Sequence, residues 1–157
     1  MTERVKGSIY CRLMDQLLVY ARKNVKLLND AAVVAQVSHW NVRGPNYYES
    51  HLLFGRVYED LSGLMDNFVE NLRACGYDPD FAELSGPGIS MQYFDAGSLV
   101  DLNLDYVMAL NGGLTLFYNY CEGYKDDPRM VGLANLVQGM ATSVLTNLYL
   151  LQAAKGH

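Results

Sequence analysis

The sequence predicts an all-α protein: one domain of four helices, with a long crossover between the second and the third. Apolar residues recur at spacings of three and four along most of the chain, whereas the alternation typical of strands is weak. Half of the 157 residues are apolar and 18% are charged, a balance that supports one buried core. The expected domain spans residues 1–157, with 1–25 as an extended N-terminal segment.

The first helical segment is predicted from about Gly7 to Trp40. Its apolar stripe has one longer gap near Asn24, so the segment is either one helix or two, with a break near Lys26–Asp30. The turn Asn41–Asn46 then ends it. The glycine of this turn can adopt a left-handed conformation, and its proline is best tolerated where a new helix starts.

Three further helices complete the pattern. The second is expected over about Tyr47–Cys75, where Gly76 closes it, and the third over about Asp101–Tyr124. Residues 76–100 contain two prolines and a Ser-Gly-Pro-Gly run, so we expect a crossover with at most a short helix. Pro128 is expected in the first turn of the last helix. Two long helices, a long link and two more helices match a ferritin-like bundle with one crossover.

Charge and composition exclude several classes of protein. The formal net charge is −5, the wrong sign for a protein that grips phosphate backbones. No apolar run approaches the roughly 18 residues of a membrane span, and charges flank the short apolar stretches of the N-terminus, unlike in a signal peptide. We therefore expect a cytoplasmic protein. The scattered cysteines indicate neither a disulfide framework nor a thiolate metal site: Cys11, Cys75 and Cys121.

Four side chains are candidates for a metal site. His39 and His51 flank the turn between the first two helices, which places one helix end beside the next helix start. Asp66 and Glu70 form an i,i+4 carboxylate pair on one face of the second helix. Two imidazoles and two carboxylates suit iron, manganese or zinc. Taken singly, each pattern has an ordinary structural explanation, because such histidines usually cap or pack and such carboxylates usually lie in solvent.

The spacing of these residues points to a site between two chains. His51 and Asp66 are fifteen residues apart on one helix, which separates them by roughly 22 Å. One ion therefore cannot bind both within a chain. Their directions around the helix axis differ by only about 60°, so they share a side of the helix. If two copies pair antiparallel about a two-fold axis, His51 of one chain meets Asp66 and Glu70 of the other.

A specific resemblance covers residues 38–76. The chain resembles the Dps proteins, the mini-ferritins, whose HWNVRGPNF…H signature is similar to Ser38-His39-Trp40-Asn41-Val42-Arg43-Gly44-Pro45-Asn46-Tyr47-Tyr48, followed by His51 and Phe54. Asp66 and Glu70 fall where that family keeps an Asp-x-x-x-Glu motif. The run Arg73-Ala74-Cys75-Gly76 matches the usual end of the second helix.

The resemblance implies a ferroxidase and iron-storage cage, a hollow homododecamer of four-helix subunits. Such proteins bind non-haem Fe(II) between two-fold-related subunits, oxidise it to Fe(III) preferentially with hydrogen peroxide, and store the ferric mineral, which protects against oxidative damage. By position, His39 and His51 would come from one subunit, and Asp66 and Glu70 from its partner. Trp40 neighbours a ligand and is expected either to donate electrons or to pack at a subunit interface.

Two features depart from the family pattern. Gly55 stands where many members keep an aspartate that supports a second iron, so a second ion is in doubt. Glu49 and Glu59 are candidate substitutes, although neither has matching geometry by simple spacing. The last helix starts almost uncharged, so an acidic pore for iron is not evident there. The best acidic candidates lie near the turn between the third and fourth helices: Glu122, Asp126 and Asp127.

Three hypotheses of function remain open. The first is the ferroxidase and iron-storage cage. The second is a cage that coats DNA, although neither terminus supplies a basic arm and twelve copies would carry a charge of about −60. The third is a non-catalytic helical assembly whose metal site has decayed. Iron-dependent loss of peroxide separates the first from the third, and a DNA mobility shift at low salt separates the second from both.

Overall fold

Four long helices form the bundle that the sequence predicts, and the ferritin-like architecture is confirmed. The computed structural model describes the backbone of residues 3–76, 86–92 and 94–156, and the side chains from residue 15 onward. The helices are α1 (Glu3–Asn41), α2 (Tyr47–Ala74), α3 (Ala96–Glu122) and α4 (Pro128–Ala154).

The helices pack as two antiparallel hairpins laid side by side. α1 packs against α2 and α3 against α4, while α1 also contacts α3 and α2 contacts α4 less extensively. The core lies along the bundle axis, where the apolar stripes of all four helices are fully buried. Phe68 and Phe117 meet edge to face at 5.7 Å between ring centroids, so the diagonal helices α2 and α3 also touch.

α1 is one continuous helix, so a break near Lys26–Asp30 is wrong. Lys26 Nζ instead pairs with Asp30 Oδ1 at 2.6 Å across one helical turn. Asn24, at the gap in the apolar stripe, is fully buried and donates from Nδ2 to the carbonyl of Tyr20 at 2.9 Å. The gap is therefore a buried amide within the helix. Residues 3–25 belong to α1. The expectation that 1–25 form an extended N-terminal segment of the domain stays a prediction.

α3 begins at Ala96 rather than at the expected Asp101 and ends at Glu122 rather than Tyr124. The reason for the earlier start is the N-cap, because the side chain of Asp95 accepts a hydrogen bond from the backbone N–H of Ser98 at 3.0 Å. α4 begins with Pro128 in its first turn, as expected. In the crossover, residues 86–92 are not helical, and the short helix allowed within 77–85 lies outside the described residues.

The end of the crossover is fastened to the turn between α1 and α2. The backbone N–H of Arg43 donates to the carbonyl of Phe94 at 2.8 Å, and Arg43 and Asp95 form a parallel bridge. The guanidinium of Arg43 lies 5.0 Å from the centroid of the Phe94 ring, within the range of a cation–π contact. The start of α3 is therefore held against the turn that carries the two histidines.

Candidate metal centre

A tight turn brings the two histidines together. His39 lies in the last turn of α1, and His51 lies near the start of α2. Between them Gly44 has φ +89° and Asn46 has φ +62°, a left-handed conformation that glycine and asparagine tolerate best. The chain reverses within these few residues, so the end of α1 runs beside the start of α2.

The imidazoles of His39 and His51 are locked together by reciprocal hydrogen bonds. Their rings stack with centroids 3.8 Å apart and planes inclined by 18°. Nδ1 of His39 bonds to the backbone carbonyl of His51 at 2.6 Å, and Nδ1 of His51 bonds to the carbonyl of His39 at 2.7 Å. A carbonyl can only accept, so each Nδ1 carries a proton and donates it. In the neutral rings both Nε2 atoms therefore keep a free lone pair.

This arrangement fits a metal ion that binds through Nε2. Histidine ligands of metals almost always donate their other ring N–H to a carbonyl or carboxylate, which fixes the tautomer and the ring orientation. Both histidines have that partner before any ion arrives. The ring of Tyr47 also stacks on His51, with centroids 5.3 Å apart and planes inclined by 26°. The sequence did not single out Tyr47, since an aromatic residue at a helix start has no specific signal.

The two carboxylates lie far from the histidines within one chain. α2 is unbroken from Tyr47 to Ala74, so His51 and Asp66 are separated by roughly 22 Å along its axis. Asp66 and Glu70 are both exposed, and neither has a hydrogen-bond or ion-pair partner among the described residues. In the same part of the chain, no group of three His, Cys, Asp or Glu side chains is close enough to hold a metal ion.

Three exposed apolar side chains, the apolar patch, neighbour the two histidines along α1 and α2. Trp40 and Tyr48 are each 66% exposed, and Leu52 is 52% exposed. Trp40 directly follows His39, and Tyr48 and Leu52 bracket His51 on α2. Over the described rings, no aromatic contact joins the indole of Trp40 to either imidazole. Clustered apolar side chains beside polar groups are typical of a surface that a partner covers.

Gly55 lies beside the imidazole of His39, a neighbour that the sequence does not indicate. It lies one turn beyond His51 on α2, and a Cβ atom built there would be 3.0 Å from both Cε1 and Nδ1 of His39. The two carboxylates considered as substitutes line other clefts. Glu49 lines a cleft of about 410 Å³ at the end of the bundle, and Glu59 lines one of about 450 Å³ shared with Ser143 of α4.

Two of the three acidic candidates for iron uptake are already engaged. Asp127 accepts hydrogen bonds from the guanidinium and the backbone N–H of Arg129, which hold the pKa of its carboxyl below the usual value. Hydrogen bonds from Lys125 and Tyr118 likewise lower the pKa of Glu122. Asp126 is exposed, and no hydrogen bond or ion pair engages it within the described residues.

The described cysteines form no disulfide with each other. Cys75 and Cys121 are free thiols, and burial raises the pKa of Cys121 to about 12, so it stays protonated at neutral pH. The side chain of Cys11 lies outside the described residues.

Across the ranges given above, none of the helices combines the length and apolar character needed to cross a membrane.

Solved structures with the same helix arrangement include several Dps proteins. Dps from Thermosynechococcus elongatus superposes with a TM-score of 0.77 and 14% sequence identity, over 90% of this chain and 91% of that one. A Dps protein from Bacillus brevis superposes with a TM-score of 0.76 and 20% identity, over 90% of this chain and 96% of that one.

A curated relative matches this chain in sequence over a shorter stretch. The chain is 39% identical over 41 residues to a Brevibacillus brevis protein named DNA protection during starvation protein, a match that spans 28% of that relative. No protein-family profile matches the chain. The resemblance to the Dps proteins is confirmed at the level of the fold: the chain has their ferritin-like four-helix architecture.

Proposed function

We propose that the chain is a Dps-like ferroxidase subunit whose iron site forms between two copies. His39 and His51 of one subunit bind Fe(II) together with Asp66 and Glu70 of the partner subunit. The observation that carries this proposal is the reciprocal hydrogen bonding of the two histidines, which engages both Nδ1 atoms and leaves both Nε2 atoms for a cation.

Two features of the surface support a second chain at this site. The carboxylates of Asp66 and Glu70 are exposed on the helix that carries His51, too far away to reach the same ion within one chain. A two-fold axis that reverses α2 against its copy brings opposite ends of the two helices together. The apolar patch gives that contact an area to bury.

The ligand set suits oxidation of bound Fe(II). Neutral imidazoles hold Fe(II), while hard carboxylate oxygens stabilise Fe(III) more and so favour loss of an electron. Hydrogen peroxide takes up two electrons and two protons to give two waters, so two Fe(II) ions become two Fe(III) for each peroxide consumed. One bound Fe(II) supplies one of these electrons, so release of a hydroxyl radical is avoided when the second electron comes from a further Fe(II) or from the indole of Trp40, which another Fe(II) then reduces again. The ferric product collects as mineral in a hollow homododecamer.

Trp40 is proposed as an auxiliary electron donor beside this site. It follows His39 directly and is 66% exposed, within the patch that the partner subunit covers. Packing at that interface is its alternative role, and an indole held there serves both purposes. Trp40→Phe keeps the apolar contact and removes the readily oxidised ring, so it separates the two roles.

Mixed assemblies of two inactive variants test the site between subunits. His39→Ala and Glu70→Ala should each abolish peroxide-dependent oxidation of Fe(II), because each site loses one half of its ligands. A pair with one chain of each kind has one doubly damaged site and one intact site. If the chains mix at random in equal amounts, about a quarter of the wild-type rate should return.

One further variant serves as the control for this test, and one outcome would contradict the proposal. Asp105→Ala removes an exposed carboxylate of α3 and should oxidise Fe(II) at the wild-type rate. A site held within one chain could never be rescued by mixing, because every chain carries its own lesion. Mixed particles with no activity above either parent, despite co-assembly verified by native mass spectrometry, would exclude the inter-subunit site.

A further inference from the structure

A third ring extends the stacked pair of histidines. The ring of His51 lies 3.8 Å from that of His39 on one side and 5.3 Å from that of Tyr47 on the other contact, measured between centroids. The second distance is in the range of aromatic rings that touch. Tyr47 and His51 are one turn apart on α2, so their side chains share a face of that helix. A phenol is therefore in direct ring contact with a proposed metal ligand.

The hydroxyl of Tyr47 has no structural partner in the described part of the chain. No hydrogen bond engages it there, and the side chain is 45% exposed. Tyr47 also stands where the Dps signature quoted above has phenylalanine. Phenylalanine provides the same ring for stacking but lacks the phenol group that makes tyrosine readily oxidised. The hydroxyl therefore adds redox chemistry to this position and adds no packing contact.

The proposed iron site leaves peroxide one electron short. Reduction of hydrogen peroxide to two waters takes two electrons, whereas one Fe(II) held by His39, His51 and the partner's carboxylates gives one. Peroxide that receives one electron splits into hydroxide and a hydroxyl radical. A second electron donor in contact with the metal ligands prevents that release.

We propose, building on the iron site proposed above, that Tyr47 supplies this second electron. One Fe(II) and the phenol of Tyr47 each give one electron to one peroxide, whose O–O bond breaks. The phenol also loses its proton, which together with one proton from solvent completes two waters. The products are one Fe(III), one neutral tyrosyl radical and two waters. A later Fe(II) returns an electron to the radical, which takes up a proton from solvent, and Tyr47 is restored.

The neighbouring oxidisable side chains lack this contact. Tyr48 and Trp40 are each 66% exposed, and across the described rings neither one stacks on an imidazole. Electron transfer between side chains weakens steeply with distance and is fastest between groups in contact. Tyr47 is therefore expected to be oxidised before either neighbour.

Electron paramagnetic resonance of freeze-quenched samples tests this proposal. The full-length protein, loaded without oxygen with one Fe(II) per chain, is mixed with one equivalent of hydrogen peroxide. Wild type should show a tyrosyl radical, and its spectrum should narrow when the protein carries ring-deuterated tyrosine. Tyr47→Phe keeps the stacked ring and should lose this signal. The same variant should release more hydroxyl radical, measured with a spin trap.

Three controls separate electron donation from a general effect on the site. Tyr48→Phe removes the adjacent phenol, which has no ring contact in the described part of the chain, and should keep the tyrosyl signal. Trp40→Phe should keep it too. Titration with Co(II), read by calorimetry, should give wild-type affinity for Tyr47→Phe, because the ring over His51 is retained.

A second readout needs no metal ion. The chain has three histidines, so ¹⁵N spectra of histidine-labelled, metal-free protein can follow the ring of His51. Tyr47→Ala removes the stacked ring and should shift the His51 signals, whereas Tyr47→Phe should leave them in place. Unchanged His51 signals in Tyr47→Ala would show that the rings are not in contact and would overturn the proposal.

The other failures can be told apart. If wild type binds Co(II) and oxidises Fe(II), but the tyrosyl signal persists in Tyr47→Phe or the radical lies on the indole alone, Tyr47 is not the donor and the iron site stands. Oxidation with neither a protein radical nor trapped hydroxyl radical would show that a further Fe(II) gives the second electron, which also overturns the role of Tyr47. Wild type that binds no Co(II) overturns the iron site, and this proposal with it.

Discussion

Asn103 of α3 donates a hydrogen bond from Nδ2 to Oγ of Ser38, the residue that directly precedes His39. The N···O distance is 2.9 Å, and both side chains are fully buried. The same Nδ2 also donates to the carbonyl of Leu99 at 2.8 Å. A polar contact in the core therefore ties α3 to the end of α1, where the histidine pair begins.

Removal of this amide should lower the stability of the bundle. Asn103→Ala loses the hydrogen bond to Ser38 and is expected to reduce the free energy of unfolding by about 1–3 kcal/mol. Because Oδ1 of Asn103 has no partner within the described part of the chain, the lower end of that range is expected. Ser38→Ala should cost less, since Nδ2 keeps the Leu99 carbonyl. Thermal melting checks the order, with the exposed Asn119→Ala on the same helix as control; equal melting temperatures for all three would contradict it.

Two adjacent glycines of α3 should respond oppositely to alanine. A Cβ atom at Gly113 would overlap Cδ1 of Leu27 and lie 2.8 Å from Oδ1 of Asn24, whereas one at Gly112 meets nothing within 4 Å. Gly112→Ala should therefore stabilise the helix by up to about 1 kcal/mol. Gly113→Ala should destabilise by about 1–3 kcal/mol, because the buried side chains of Leu27 and Asn24 must shift from their packed positions. Chemical denaturation measures both changes, and a gain in stability at Gly113 would show that the helices do not approach closely there.

The helices could be predicted from sequence because their apolar stripes are local signals. The stripe through Leu133, Met140 and Val144 is buried, and the turn at Gly44 brings His39 beside His51. The sequence does not predict the early start of α3, because the apolar pattern after Asp95 is weak. The helix nevertheless begins there because the side chain of Asp95 caps it.

Most of the features that the sequence does not predict depend on contacts between helices. From the sequence alone, Gly55 is interpreted as a position where a metal ligand is missing. The sequence does not show that the imidazole of His39, on α1, lies beside this glycine. The gap at Asn24 resembles a helix break for the same reason, because the sequence does not show that this buried amide packs against Gly113 of α3. Such pairs depend on tertiary packing, which local spacing does not encode.

Affinity for DNA should be weak. Lys155, the only lysine or arginine after Arg129, already pairs with Asp101 at 2.5 Å. The first seven residues hold only Arg4 and Lys6. With a net charge of −5 per chain, an assembly repels phosphate backbones, most strongly at low salt. A gel shift with duplex DNA should show no complex, and retention of duplex at micromolar protein and near-physiological salt would refute this.

Acid should weaken the start of α4 through Asp127. Hydrogen bonds from Arg129 hold the pKa of Asp127 below its usual value, so the folded chain takes up this proton less readily than the unfolded chain. The stabilisation is therefore present above the ordinary aspartate pKa of about 3.9 and is lost as the pH falls through the lower, folded-state value. Asp127→Asn should melt lower at neutral pH and show a shallower decline in acid. Melting curves of both proteins from neutral to acid pH check this, and parallel profiles would contradict it.

Iron uptake is expected to depend on Asp126 more than on its neighbours. Asp126 is exposed, whereas Asp127 caps α4 and pairs with Arg129, and Glu122 is held by Tyr118 and Lys125. A carboxylate without a partner contributes most to the field that attracts a cation. Asp126→Asn should therefore slow mineral growth roughly twofold or more while leaving Co(II) affinity at the histidines unchanged. Asp105→Asn removes an equal charge from the middle of α3 and should grow mineral at the wild-type rate. The ferric absorbance of stopped-flow traces measures both, and an unchanged rate for Asp126→Asn would show that iron enters elsewhere.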